Sequence, residues 1–100
     1  MGERESAFQA KVTKELKARF PGCLVLKNDA NYMQGFPDLL ILYNDKWVAL
    51  ECKRNAGSSH RPNQDYYVET LNEMSYAAFV YPENWDEVLY DIQQTFEPSR

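Results

Sequence analysis

Histidine is scarce in this chain, cysteine nearly so, and long apolar runs are missing altogether. The lone histidine, His60, makes no zinc-binding spacing with Cys23 and Cys52. A bridge between the two cysteines is the alternative, but nothing else suggests an oxidising compartment, so two buried thiols are expected. No apolar stretch approaches the roughly 20 residues that cross a bilayer, which excludes a membrane-spanning helix. The start, Met1-Gly2-Glu3-Arg4-Glu5, carries acids with no apolar segment behind it, so no secretory signal is expected and the chain reads as cytoplasmic. Repeats, low-complexity tracts and linkers are also absent. What remains is 100 residues, 44% hydrophobic and 26% charged, enough for one domain over 1–100 with one modest core.

A shortage of positive charge is the feature that bears most on function. The net charge of -4 at first sight opposes a nucleic-acid partner. Its distribution softens that objection. Residues 4–61 carry ten of the 11 Lys and Arg against six acids, giving +4; the remainder carries nine acids and one base, giving -8. A divalent cation held by some of the six acids would make the first region more positive still.

Periodicity supplies the elements. Residues 5–19 read as an amphipathic helix, because Phe8, Val12 and Leu16 recur at four-residue intervals and Pro21-Gly22 ends it. Residues 23–26 form a short apolar strand. Leu39 to Leu42 are continuously apolar, as in a strand covered on both faces. Asn44-Asp45 is a two-residue turn, and residues 46–54 form the return strand. A loop of small polar residues leads to Pro62, which opens a helix running to about Met74. Ala77 to Tyr81 make a last strand. Asn84 with Glu87 reads as a capping box, starting a helix whose buried stripe is Trp85, Val88, Leu89, Ile92 and Phe96. The order α-β-β-β-α-β-α implies an α/β or α+β sandwich, a central mixed sheet flanked by helices.

The hairpin carries the chemistry. With Asn44-Asp45 as the loop, Tyr43 faces Lys46, Leu42 faces Trp47, Leu40 faces Ala49 and Asp38 faces Glu51. Directly opposed residues have Cβ atoms about 5 Å apart, so two carboxylates there repel unless a cation lies between them. Alternation puts Lys53 on the face of Glu51 and turns Cys52 into the core. Asp38 and Glu51, with the backbone carbonyl of Cys52, are hard oxygen ligands suited to Mg²⁺ or Mn²⁺. Such a cation makes water easier to deprotonate and offsets charge on a scissile phosphate, while an ammonium can orient the water or steady the transition state. These are the requirements of phosphodiester hydrolysis.

Gly35-Phe36-Pro37-Asp38, followed by Glu51-Cys52-Lys53 after an apolar hairpin, resembles the PD-(D/E)xK nuclease superfamily. Within it the chain looks like a stand-alone VRR-NUC domain of phage or bacterial type, from Glu5 to about Phe96. The resemblance implies a restriction-endonuclease-like core in a bacterial or phage-infected cell. It makes Asp38 and Glu51 metal ligands and Lys53 the catalytic lysine. Gln64 matches the glutamine that such domains carry on the following helix; Gln64, Val68 and Leu71 share one helical face, turned toward the sheet. The alternative for Gln64 is local bonding at the helix start. Glu5 resembles the first-helix acid of related nucleases and would complete a metal site; the alternative is an acid favourable to a helix's first turn. Lys11, Lys14, Lys27, Arg54 and Arg61 would together contact phosphates. Asp65, Glu69 and Glu73 read as a solvent-facing stripe, and Tyr32 as a loop residue able to stack on a base.

The expected activity is a metal-dependent endonuclease acting on DNA. A homodimer is implied by the resemblance, and its symmetry would suit a branched substrate such as a Holliday junction. The alternatives are a non-catalytic DNA-binding or assembly module on the same fold, and an RNA-directed nuclease.

Overall fold

The computed structural model describes residues 2–98, with side chains from Glu5 onward. Its elements are α1 (Gly2–Arg19), β1 (Leu24–Lys27), β2 (Leu39–Tyr43), β3 (Lys46–Cys52), α2 (Pro62–Met74), β4 (Tyr76–Val80) and α3 (Trp85–Phe96), with a 3₁₀ turn at Pro82–Asn84. The expected order is therefore present. The four strands lie in the order β1-β2-β3-β4, with β1-β2-β3 antiparallel and β4 parallel to β3, a mixed sheet. Joining parallel neighbours needs a crossover, and α2 supplies it.

The β2–β3 register is the one read from the turn: Tyr43 pairs with Lys46, Leu42 with Trp47, and Leu40 with Ala49. Asn44 takes the positive φ of 57° that the two-residue turn requires. On one sheet face, Leu39, Ile41, Val48, Leu50, Cys52 and Val80 are buried against α1 and α3. α1 contributes Phe8, Val12 and Leu16, and α3 contributes the five residues of its expected stripe. Gly22, at φ +92°, turns the chain between α1 and β1.

Three expectations need correction. Leu39–Leu42 is not covered on both faces: Leu39 and Ile41 are buried, but Leu40 and Leu42 are only half-buried. The reason is that α2 packs chiefly over β4 and β3, away from the β1 edge, where Leu24 and Leu26 stand exposed. Asn84 does not cap α3 with its side chain. Its Oδ1 accepts from the Tyr81 N–H at 2.9 Å and its Nδ2 donates to the Phe79 carbonyl at 3.1 Å, so it closes the preceding 3₁₀ turn instead. The strand boundaries also shift. β1 starts one residue later than Cys23 and β4 one residue earlier than Ala77, while β3 ends at Cys52. Lys53 still donates its N–H to the Val80 carbonyl at 2.8 Å, so the backbone stays pinned past the strand end.

Both thiols are buried and free, as expected. Burial pushes the Cys52 thiol up, so it packs as a neutral core group. Among the described residues no helix is long and apolar enough to cross a membrane.

Candidate active site

The β1–β2 and β2–β3 ladders run out at the same end of the sheet, and the chemistry collects there. One rung beyond the Leu39–Leu50 pair, the register sets Asp38 opposite Glu51. Asp38 Oδ2 accepts the Cys52 N–H at 2.9 Å, which ties the carboxylate across the strand gap. In an extended strand a residue's N–H and C=O point to one side, so the Cys52 carbonyl also faces the Asp38 edge. Asn28 closes the other side: its N–H donates to the Asp38 carbonyl at 2.8 Å, and its Nδ2 donates to Met33 and Phe36 carbonyls at 3.1 and 3.4 Å. The loop feeding Asp38 is thus held from its first residue.

Glu51 and Lys53 are 4% and 8% exposed, and charges buried to that degree need partners. Gln64, from the first turn of α2, supplies them. Its Nε2 donates to Glu51 Oε2 at 3.1 Å, and its Oε1 accepts from Lys53 Nζ at 2.9 Å. The Lys53 ammonium itself lies 3.8 Å from Glu51 Oε2. Gln64 Oε1 also accepts the Arg61 N–H at 3.0 Å, so local helix-start bonding and contact with the sheet are both real. One amide therefore fixes an acid, a base and a helix terminus together.

The electrostatics follow from burial. Desolvation, then the neighbouring Asp38 charge, pushes the Glu51 carboxyl up to about 8, against the Lys53 charge and a backbone hydrogen bond from Asp38. Asp38 is raised too, chiefly by desolvation and further by Glu5, opposed by the Cys52 N–H and by the Lys53 and Lys27 charges. Two opposed carboxylates that resist joint ionisation are a donor set asking for a cation. Their oxygens, with the Cys52 carbonyl, fit a hard divalent ion.

A cleft of about 140 Å³ runs between the 28–37 loop and the start of α2, with Asp38, Glu51 and Gln64 in its wall. Gly35 makes that close approach feasible. It sits at φ +86°, and a Cβ there would lie 2.5 Å from the Asn63 side chain. Phe36 and Tyr67 pack edge to face beside it, with centroids 5.6 Å apart. Around the corner a second cleft is lined by Glu5, Lys53, Arg54, Arg61 and Gln64.

Asp38, Glu51, Lys53, Gln64 and the Cys52 backbone are therefore brought together, and Arg54, Arg61 and Glu5 border them. Glu5 reaches the carboxylates through its field rather than joining them: among the described residues no three acids, histidines or cysteines converge as a metal-ligating group. Lys14 and Lys27 share a separate groove, and Lys11 pairs instead with Glu15, 3.9 Å away. Tyr32 is exposed on the loop. Two contributors went unread in the sequence. Asn28 is one, and asparagine's readiness to bond nearby carbonyls is the signal that could have found it. His60 stacks on Phe79, with centroids 3.7 Å apart, and its Nδ1 lies 3.1 Å from Asp65 Oδ1. That contact pins the loop before α2, and no local pattern announces it.

Among solved structures, a protein described as "VRR_NUC domain protein" superposes on this chain with a TM-score of 0.68 at 20% identity, covering 96% of this chain and 90% of that one. The chain has the fold of that protein. No protein-family model matches the sequence, and no curated protein does. Near-complete coverage in both directions means that all the elements described above, α1 to α3, belong to the shared fold.

Proposed function

We propose that this chain is a metal-dependent endonuclease that hydrolyses DNA phosphodiester bonds. The observation that carries the reading is the Gln64 amide, bonded at once to the Glu51 carboxylate and the Lys53 ammonium beside Asp38. A purely structural role would not need two buried opposed charges and a bridging amide at an open cleft. The likeness to a VRR_NUC domain protein agrees with this reading.

Asp38, Glu51 and the Cys52 carbonyl would hold Mg²⁺ or Mn²⁺. When bound, such a cation acidifies water and offsets charge growing on a scissile phosphate. The chain's own groups do the rest. Gln64 keeps the Lys53 ammonium from swinging into solvent, so its positive charge stays aimed at the cleft, where it orients the attacking water and stabilises phosphoryl oxygens. Asp38 is kept from rotating by the Cys52 N–H. Glu5 adds negative charge at the rim, and Arg54 and Arg61 add positive charge that favours phosphate entry.

A homodimer with two active sites acting on branched DNA goes with this reading. The exposed Leu24 and Leu26, beside half-buried Leu40 and Leu42, supply an apolar face that supports self-association. One observation favours a second reading, a DNA-binding module without catalysis: among the described residues two carboxylates, not three, meet in the cleft.

The deciding experiment is nicking of supercoiled plasmid, a synthetic four-way junction and a matched RNA, with Mg²⁺, Mn²⁺ or EDTA. Metal-dependent cleavage is expected, falling by on the order of 1,000-fold or more in Lys53→Ala and Asp38→Asn. A well-folded protein that binds DNA yet cuts nothing with either metal would hand the case to the binding module. Preference for RNA would reassign the substrate.

A further inference from the structure

A groove of about 480 Å³ runs along α1 on the side of β1, apart from the catalytic cleft. Its charged walls are Lys14, Lys17 and Lys27, its uncharged donors are Ser6, Gln9 and Thr13, and no acid lines it among the described residues. In a chain of net charge -4, three lysines on one groove are a local reversal of sign among those residues. Two residues relate the groove to the site: Ser6 lines it next in sequence to Glu5, which lines the second cleft beside Lys53 and Gln64, and Lys27 lines it while its charge reaches Asp38. α1 then carries the wall away from the site toward Lys17.

We propose that this groove is a track for the phosphate backbone of the DNA flanking the scissile bond, an inference that rests on the nuclease reading above. From Ser6 to Lys17 the helix advances about 16 Å at 1.5 Å per residue. The rise of about 3.4 Å per nucleotide is measured along the duplex axis, and phosphates along the winding backbone lie farther apart, so the groove takes fewer than about five phosphates, in keeping with its three lysines. Lysine ammoniums with serine, threonine and glutamine side chains are a phosphate-binding set. Among the described residues no arginine lines the groove to grip a base edge bidentately, so these residues hold DNA without reading its sequence. A docked acidic segment, such as the Asp65, Glu69 and Glu73 stripe of a second copy, is the competing occupant.

The test is binding of wild-type protein in EDTA to a labelled duplex between 50 and 200 mM salt, against the triple variant Lys14→Ala, Lys17→Ala, Lys27→Ala. Each lost phosphate contact removes about 0.9 from the slope of log K against log salt, so the slope should flatten by about 2 to 3 and affinity at 100 mM should fall on the order of 10- to 100-fold. Lys46→Ala, at the hairpin tip beside Asp45, should change neither. The parallel triple variant with arginine should restore the slope, which separates lost charge from damaged structure. An unchanged slope and affinity in the alanine variant would overturn the track. So would a change in sedimentation with DNA binding intact, which would assign the groove to self-association. Wild-type cleavage with Mn²⁺ is measured alongside: cutting with an unchanged slope defeats the track alone, while a flattened slope without any cutting defeats the hydrolysis alone.

Discussion

Two helices pack against this sheet in opposite ways. α3 buries Trp85, Val88, Leu89, Ile92 and Phe96, whereas none of the residues of α2 is buried. α3 spends its apolar stripe on the core, and burial of each large side chain there is worth about 1.5–3 kcal/mol. α2 offers the sheet half-buried Val68 and Leu71, and at its first turn a glutamine. α3 holds the fold together, and α2 sets an amide between Glu51 and Lys53. The division is possible because Gln64 needs position rather than burial, and Pro62 and the Arg61 N–H fix that position at the helix start.

The sharpest way to break this contrast is a pair of truncations. Ile92→Ala, at a fully buried site, should cost about 2–5 kcal/mol in denaturant unfolding, with cleavage per folded molecule unchanged at low temperature. Gln64→Ala should do the reverse. Groups that orient a reacting or metal-holding side chain are worth about 10- to 100-fold, so cleavage per folded molecule should drop by that factor, with a smaller stability loss of about 1–3 kcal/mol because Glu51 and Lys53 lose their shared partner. Equal damage from both variants to stability would erase the division.

A pH series sharpens it from the side of the site. Glu51 titrates near 4.5 when unfolded and is pushed up to about 8 when folded, so the native state holds its proton more tightly. Its contribution is complete below about 4.5 and is lost as pH rises through 8. In EDTA the melting temperature should therefore decline from pH 5 to 8, and Glu51→Gln should flatten the decline. Mn²⁺, which favours the ionised carboxylates, should recover stability at pH 8. The smallest effect belongs to the outer face of α2, where Glu69→Gln and Glu73→Gln should shift stability by less than about 0.5 kcal/mol and leave cleavage unchanged. Loss of cleavage there would mean that the exposed stripe meets a partner.

How much could be read beforehand depended on how local the cause was. The Asn44-Asp45 turn dictates the register, and the register alone sets Asp38 against Glu51 and places Lys53 beside it. The four-residue spacing of Phe8, Val12 and Leu16 likewise needed no tertiary knowledge. The half-exposure of Leu40 and Leu42 was hidden, because it depends on where α2 comes to rest across the sheet. Asn84 had two uses for one side chain, and the choice between them was made by Phe79 and Tyr81. Asn28 and the lysine groove were hidden for a related reason. Both join segments that only the folded sheet brings side by side.

Gly35 carries a consequence of a mechanical kind. With hydrogen in place of a methyl group, it lets the 28–37 loop seat against Asn63 at a distance no other residue permits. It acts as a shim. The slot beside Asp38 and Glu51 is narrow by one absent carbon, and a side chain at this position would have to push Asn63 aside as well as bear the strain of a φ of +86°.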